Sequence, residues 1–227
     1  MQNAVRDEGA PGSGPDDVAA RVARRTLDRR TPDYTGEVRR LLDAGLEVMR
    51  RCGTESRPRV ADIVAAAGLS NDAFYRHFPS KDALVAAILE DGTERLGRYV
   101  AHQMTKADTP EGKIRRWVEG VMAQAEDEIA ATTLAVLWNA GAGRPGAPGS
   151  AAGPIAAPLE GPLTELGSTA PVLDATLLAY AAVGLLGQHL FARTTPTPAE
   201  IDHLVAFCVA AVGAHPGVDT QGGRPKE

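Results

Sequence analysis

The chain has 227 residues, 44% of them hydrophobic and 23% charged, so most of it should fold around a core, as one large domain or two small ones. Aromatic residues make up only 4%, so the core must come from Ala, Leu and Val, a composition that favours helix over strand and predicts an all-α fold. Cys52 and Cys208 are too few and too far apart for a disulfide framework or a zinc site, and the net charge of −5 hides a division: residues 21–81 hold 13 Lys+Arg against 8 Asp+Glu, whereas residues 101–227 hold 8 against 13.

Met1–Asp17 is rich in Gly, Pro and acidic residues, reads as a disordered tail, and lacks the apolar run of a signal peptide. A basic arm follows, with Arg21, Arg24, Arg25, Arg29 and Arg30. It suits either a short helix or an unstructured arm that enters a minor groove or follows a phosphate backbone. Residues 1–32 are therefore set apart from the folded part.

Helical periodicity starts at Asp33. Val38, Leu41, Leu42, Gly45, Leu46 and Met49 form one face, and Cys52-Gly53 suits a helix end. A second, short helix is expected from Val60 to Ala67, stopped by Gly68. Ser70 is a good cap for a third, Asn71–Phe78, and Ser80 caps a fourth that starts at Lys81 and runs to about Met104. Gly92 and Gly97 are candidate soft points within it.

Pro110 opens a fifth helix with Ile114, Trp117, Val118, Val121 and Met122 as its apolar stripe. A sixth covers Glu128–Asn139. Gly141–Pro162 is dense in Gly, Pro and Ala and is expected to be a mobile loop with a turn of helix at its end. Two long helices, Val172–Arg193 and Pro198–Gly213, close the fold before a polar tail, 215–227. The apolar-rich stretch Thr176–Leu190 is too short and too mixed to read as a membrane span.

Function is concentrated in VADIVAAAGLSNDAFYRHFPSKDAL, Val60–Leu84. Two short helices joined by a Gly-containing turn, after a longer helix, make a helix-turn-helix. The first short helix braces on the phosphate backbone and the second enters the major groove. Ile63, Leu69, Phe74 and Phe78 can form a small core with Leu42, Leu46 and Met49. That leaves Asn71, Asp72, Tyr75, Arg76 and His77 facing outward. Tyr, His and Arg can donate to phosphates, Asn can pair with adenine and Arg with guanine.

The run AAAGLSNDAFYRHFPSKDALVAAILE resembles the DNA-binding domain of the TetR family of transcriptional regulators. The Gly-Leu-Ser turn, Phe-Tyr-x-His-Phe and Phe-Pro-Ser-Lys-Asp-x-Leu carry the likeness, which spans about Tyr34–Glu90. It implies a DNA-binding domain over 33–80 and a helical ligand-binding and dimerisation domain over 81–214. It further implies a homodimer through the last two long helices and a repressor, released from near-palindromic double-stranded operator DNA by a small effector. By position, Tyr75, His77 and Lys81 resemble the family's phosphate contacts, and Ser70, Asn71 and Arg76 its groove contacts. Arg59 stands where the family often has a Ser or Thr cap; it weakens the cap and offers a phosphate contact. Asp72 repels phosphate, yet can accept from a cytosine amino group or help cap its helix.

In an aromatic-poor domain the large side chains are candidates to line a ligand cavity: Trp117, Met122, Trp138, Tyr180 and His189, with Asn139 and Gln188 as polar anchors. An Ala/Leu/Val-rich interior suggests an apolar or amphipathic ligand. No nucleophile with a partnered base, phosphate-cradling loop or metal-ligand spacing is present, so neither an enzyme nor a cofactor is expected. The setting expected is the cytoplasm, with no membrane partner. A constitutive DNA-binding module without an effector is the competing reading.

Overall fold

The computed structural model describes residues 18–141 and 152–213, all helices and connecting turns. The expected tails 1–17 and 215–227, and residues 142–151 of the expected loop, lie outside them.

Helix α1 is Val18–Cys52, α2 Val60–Ala67, α3 Asn71–His77, and α4 Lys81–Met104. Helix α1 begins at Val18 rather than at Asp33, so the arm Arg21–Arg30 is helical backbone continuous with the rest. Ala and Arg are strong helix formers, and the strong apolar period after Asp33 obscured that continuity. Gly68 closes α2 in the left-handed conformation, φ 65°, and the N–H of Leu69 donates to the Val64 carbonyl at 2.9 Å. Ser70 Oγ then accepts from the Ala73 N–H at 3.1 Å, and Ser80 Oγ from the Ala83 N–H at 3.1 Å. These two caps bracket α3 and fix its length.

Around the turn lies a first core: Leu41, Val48 and Met49 of α1, Ile63 and Val64 of α2, Phe74 of α3, Phe78, and Leu84, Val85 and Ile88 of α4. Leu42 and Leu46, expected in this core, are half-buried and pack against it, and they also border a cavity toward α6 and α9. Gly45 lets α1 and α4 approach: a Cβ there would lie 2.8 Å from Ile88 Cδ1.

Helix α5 is Pro110–Met122, and a short 3₁₀ turn leads to α6, Asp127–Asn139. Thr109 caps α5, with Pro110 in its first turn. The predicted stripe Ile114, Trp117, Val118, Val121 and Met122 is buried in a second core.

The expected loop at Gly141–Pro162 requires correction. Helices α7, Gly153–Ala156, and α8, Glu160–Glu165, are joined by a 3₁₀ turn. Ile155, Leu159 and Leu163 are buried at a spacing of one helical turn, and the Trp117 Nε1–H donates to the Ile155 carbonyl at 2.8 Å. Burial of that stripe outweighs the local cost of Gly and Pro. Gly97 of α4 fits against this segment so tightly that a Cβ would meet the Pro154 carbonyl oxygen at 2.2 Å. Gly97 is thus a close-packing position, not a soft one.

Helix α9, Pro171–Ala192, and α10, Pro198–Gly213, complete the second core. At 22 residues α9 is longer than the stretch Thr176–Leu190 and is apolar enough to span a membrane by composition. Its Ala175, Leu178, Ala179, Ala182, Leu186 and Leu190 are instead packed inside the fold.

Candidate nucleic-acid interface and effector cavity

Helix α3 presents Asn71, Asp72, Tyr75 and Arg76 to solvent, while Ala73 and Phe74 anchor it from below. The Tyr75 ring stands edge-on to Phe74, with centroids 5.2 Å apart, and remains 57% exposed. Its hydroxyl-bearing end is thereby held on the surface. Ser70 is exposed but its Oγ is engaged as the α3 cap. Lys81 lies half-buried in the first turn of α4.

His77 departs from the expected outward arrangement. Its side chain has no exposed surface, and its Nε2 lies 2.6 Å from Glu37 Oε2 on α1. The ring also meets the Tyr34 ring edge-on at 4.2 Å between centroids. His77 therefore braces the recognition helix against α1 and has no face for a phosphate. The same Glu37 oxygen accepts from Arg76 Nη2 at 2.9 Å. The hydrogen bond from His77, with the nearby Arg76 charge, holds the Glu37 carboxyl below its ordinary range against the opposing effect of desolvation. Arg76 must exchange this carboxylate for a base edge to read DNA.

Arg59 sits at the N-cap of α2 and makes no side-chain cap. Its Nε and Nη2 donate to Asp62 Oδ2 and Oδ1 at 3.0 and 3.1 Å. That fork lowers the Asp62 carboxyl and leaves Arg59 well exposed at the start of the bracing helix.

The seven residues expected around a ligand do not converge. Trp117 and Met122 are fully packed core. Trp138 and Tyr180 are about half exposed, and Gln188 is on the surface. Asn139 donates to its own helix at the Ala135 carbonyl, 2.8 Å away. His189 is buried, with Nδ1 2.9 Å from Thr194 Oγ1, beside a separate recess that also touches Thr54 and Arg193. Large side chains here fill space instead of enclosing it.

A cavity of about 200 Å³ lies elsewhere, at the seam between the two cores. Leu42 and Leu46 of α1, Ile88, Leu89 and Leu96 of α4, Val136 and Leu137 of α6, and Val183 and Leu186 of α9 form its apolar wall. Asp91, Thr93, Arg95, Gln124, Thr132 and Thr133 supply its polar side. The short side chains at Gly92, Thr93, Thr132 and Thr133 leave this space. Periodicity within single helices carries no signal of it, because the lining is drawn from α1, α4, α6 and α9 together. Glu37 and Tyr34 were missed for a similar reason, although their i, i+3 spacing puts them on one face of α1. Among the described residues, no cluster of His, Cys, Asp and Glu could hold a metal ion.

Residues 41–88 match the family model described as bacterial regulatory proteins, tetR family. No curated protein matches the sequence. The fold is similar to a candidate TetR-family transcriptional regulator from Mesorhizobium loti MAFF303099, with 15% identity, TM-score 0.54, and coverage of 79% of this chain and 96% of that one. A candidate transcriptional regulator from Pseudomonas aeruginosa PAO1 has 24% identity and TM-score 0.54, over 78% of this chain and 88% of that one. The transcriptional regulator FadR from Bacillus subtilis, solved with stearoyl-CoA, has 17% identity and TM-score 0.51, over 77% and 95% of the two chains.

Proposed function

We propose that this chain, a TetR-family protein and DNA-binding transcriptional regulator, is a homodimeric repressor released from a near-palindromic operator by a small apolar or amphipathic ligand. The cavity carries this reading, because α1 of the DNA-reading unit and α4, α6 and α9 of the rest all contribute to one wall. An occupant that fits one arrangement of these helices better than another shifts the separation of the two recognition helices by its differential affinity. Major-groove binding tolerates little change from one DNA turn, about 34–36 Å between half-sites.

In this reading residues 33–80 read DNA and 81–214 bind ligand and dimerise. Arg59, Asn71, Tyr75, Arg76 and Lys81 contact DNA directly, and Ser70 positions them as a cap. Leu173, Leu177, Tyr180 and Phe191 form an exposed stripe along α9, and Phe207 is exposed on α10. Their spacing suits a helix pair shared with a second copy, and Tyr180 and Gln188 belong to that surface. The setting proposed is the cytoplasm.

The test is binding of the purified chain to DNA from upstream of its own gene and to random DNA, across a salt series, with mass measured by light scattering. A dimer with a specific preference of about a thousandfold or more supports a specific regulator. Equal, weak binding to both DNAs would refute it.

A further inference from the structure

At one edge of the cavity the charges are unbalanced. Asp91 of α4 is held by Arg39 of α1, at 3.3 Å, and by Arg95 one turn further along α4. Burial opposes ionisation of Asp91, but the two guanidinium groups outweigh it and keep the carboxyl below its ordinary range. Two cations therefore share one anion, and Asp91 is the one acidic residue among those lining the cavity.

The cavity also has an outer room. A second recess of about 460 Å³ shares Gly92, Arg95, Leu96, Gln124, Thr132 and Thr133 with it and adds the exposed side chains of Tyr99 and Ile129. The inner wall is mainly apolar, and Arg95 is common to both spaces. At about 200 Å³ the inner space is smaller than pockets for drug-sized ligands, which run to about 300–1,000 Å³.

We propose that the effector is a small amphiphile with an anionic head, of the class of a medium-chain carboxylic acid: its chain fills the inner cavity and its carboxylate takes the place of Asp91 on Arg95 and Arg39. This rests on the effector-cavity reading above and names the ligand class for that site. A cationic head gains nothing, because the single carboxylate present is already shared by two arginines. A neutral head gains only ordinary hydrogen bonds to Gln124 and the threonines. An anionic head makes charge-assisted bonds to planar guanidinium donors at the border of an apolar space. Binding also has a mechanical result, since the Arg39–Asp91 pair joins α1 to α4. The ligand exchanges a bond between the two helices for bonds to itself, which is the differential contact that release from DNA requires.

The test is calorimetric titration of the full chain with octanoate and, separately, with 1-octanol. Octanoate is expected to bind at least about tenfold more tightly than 1-octanol. Arg95→Gln should remove most of the advantage of octanoate over 1-octanol. Val183→Trp, checked for folding by circular dichroism, should abolish both. Equal binding of the two in the wild-type chain would overturn the anionic class and leave the cavity reading standing. Octanoate binding that Val183→Trp does not weaken would place the site elsewhere. Failure of both probes, repeated with hexanoate, decanoate and their alcohols, would overturn the cavity reading itself.

Discussion

The Glu37 carboxylate lies 2.6 Å from Nε2 of His77, joining positions 40 residues apart in the chain and docking the end of the recognition helix onto α1. Because the same oxygen holds Arg76, one carboxylate both orients the helix and restrains one of its base-reading candidates.

Glu37→Gln should therefore tighten binding to DNA of any sequence. The glutamine carbonyl keeps an acceptor for His77, while the negative charge on Arg76 is lost. The salt dependence of log Kd should steepen by up to about one ion, read by fluorescence anisotropy from low to moderate salt. Weaker binding to random DNA would contradict the restraint.

His77 and Tyr75 should separate stability from binding. His77→Ala removes a fully buried ring and leaves Glu37 with Arg76 alone, at a cost of about 2–4 kcal/mol in urea unfolding. Tyr75→Ala should change stability by less than about 1 kcal/mol and weaken DNA binding. The opposite assignment of losses would return His77 to the DNA face.

Arg76→Ala should cost about 1–3 kcal/mol on operator and relax preference at one base pair. Lys81→Ala should weaken operator and random DNA alike and reduce the salt slope by about one. Equal losses on both DNAs for Arg76→Ala would remove its base-reading role.

Acid should loosen the α1–α3 dock. The folded-state pKa of Glu37 lies below its ordinary value, so its contribution is complete at neutral pH and persists down to the ordinary carboxylate range. It is lost as pH falls through the lowered folded value. Amide-exchange protection in α3, taken relative to the intrinsic exchange rate at each pH, should fall more on acidification in the parent chain than in Glu37→Gln.

Cys208 is fully buried, and burial pushes its thiol up to about 12. At neutral pH it should resist iodoacetamide in the folded chain and react on unfolding, as mass spectrometry of the labelled peptide would show. Rapid native labelling would mean that α10 opens away from α9.

The helix-turn-helix was legible because its information is local. A turn glycine, two serine caps and the apolar spacing from Ile63 to Phe78 each act within a few residues. The orientation of His77 was not, because its partners Tyr34 and Glu37 lie on another helix. The family resemblance placed His77 among phosphate contacts, and only the packed geometry shows its ring turned inward. In the second half, the stripe of α5 was readable from its period. Helices α7 and α8 were hidden by Gly and Pro, whose local preference is weaker than the burial of Ile155, Leu159 and Leu163. The large side chains expected around a ligand are scattered for a physical reason: an aromatic side chain is also the best filler of space. Trp117, with its N–H satisfied by the Ile155 carbonyl, fills a volume that composition alone suggests it would border.

The contact of Gly97 with Pro154 gives α4 a fulcrum. With no side chain between helix and backbone, α4 lies closest to its neighbour there, and a tilt of α4 about that point would swing its N-terminal end. The arm from Gly97 back to Lys81 is about 24 Å long at the helical rise, so each degree of tilt carries the Lys81 end through about 0.4 Å. The cavity lies along this arm, against Ile88, Gly92 and Leu96. A displacement of under an ångström at Gly92 is multiplied roughly threefold at the end that carries the recognition helix. Gly97→Ala would force the two surfaces apart, since its Cβ would meet the Pro154 carbonyl oxygen at 2.2 Å, and on the proposed function it would weaken the coupling between the cavity and the DNA-binding end.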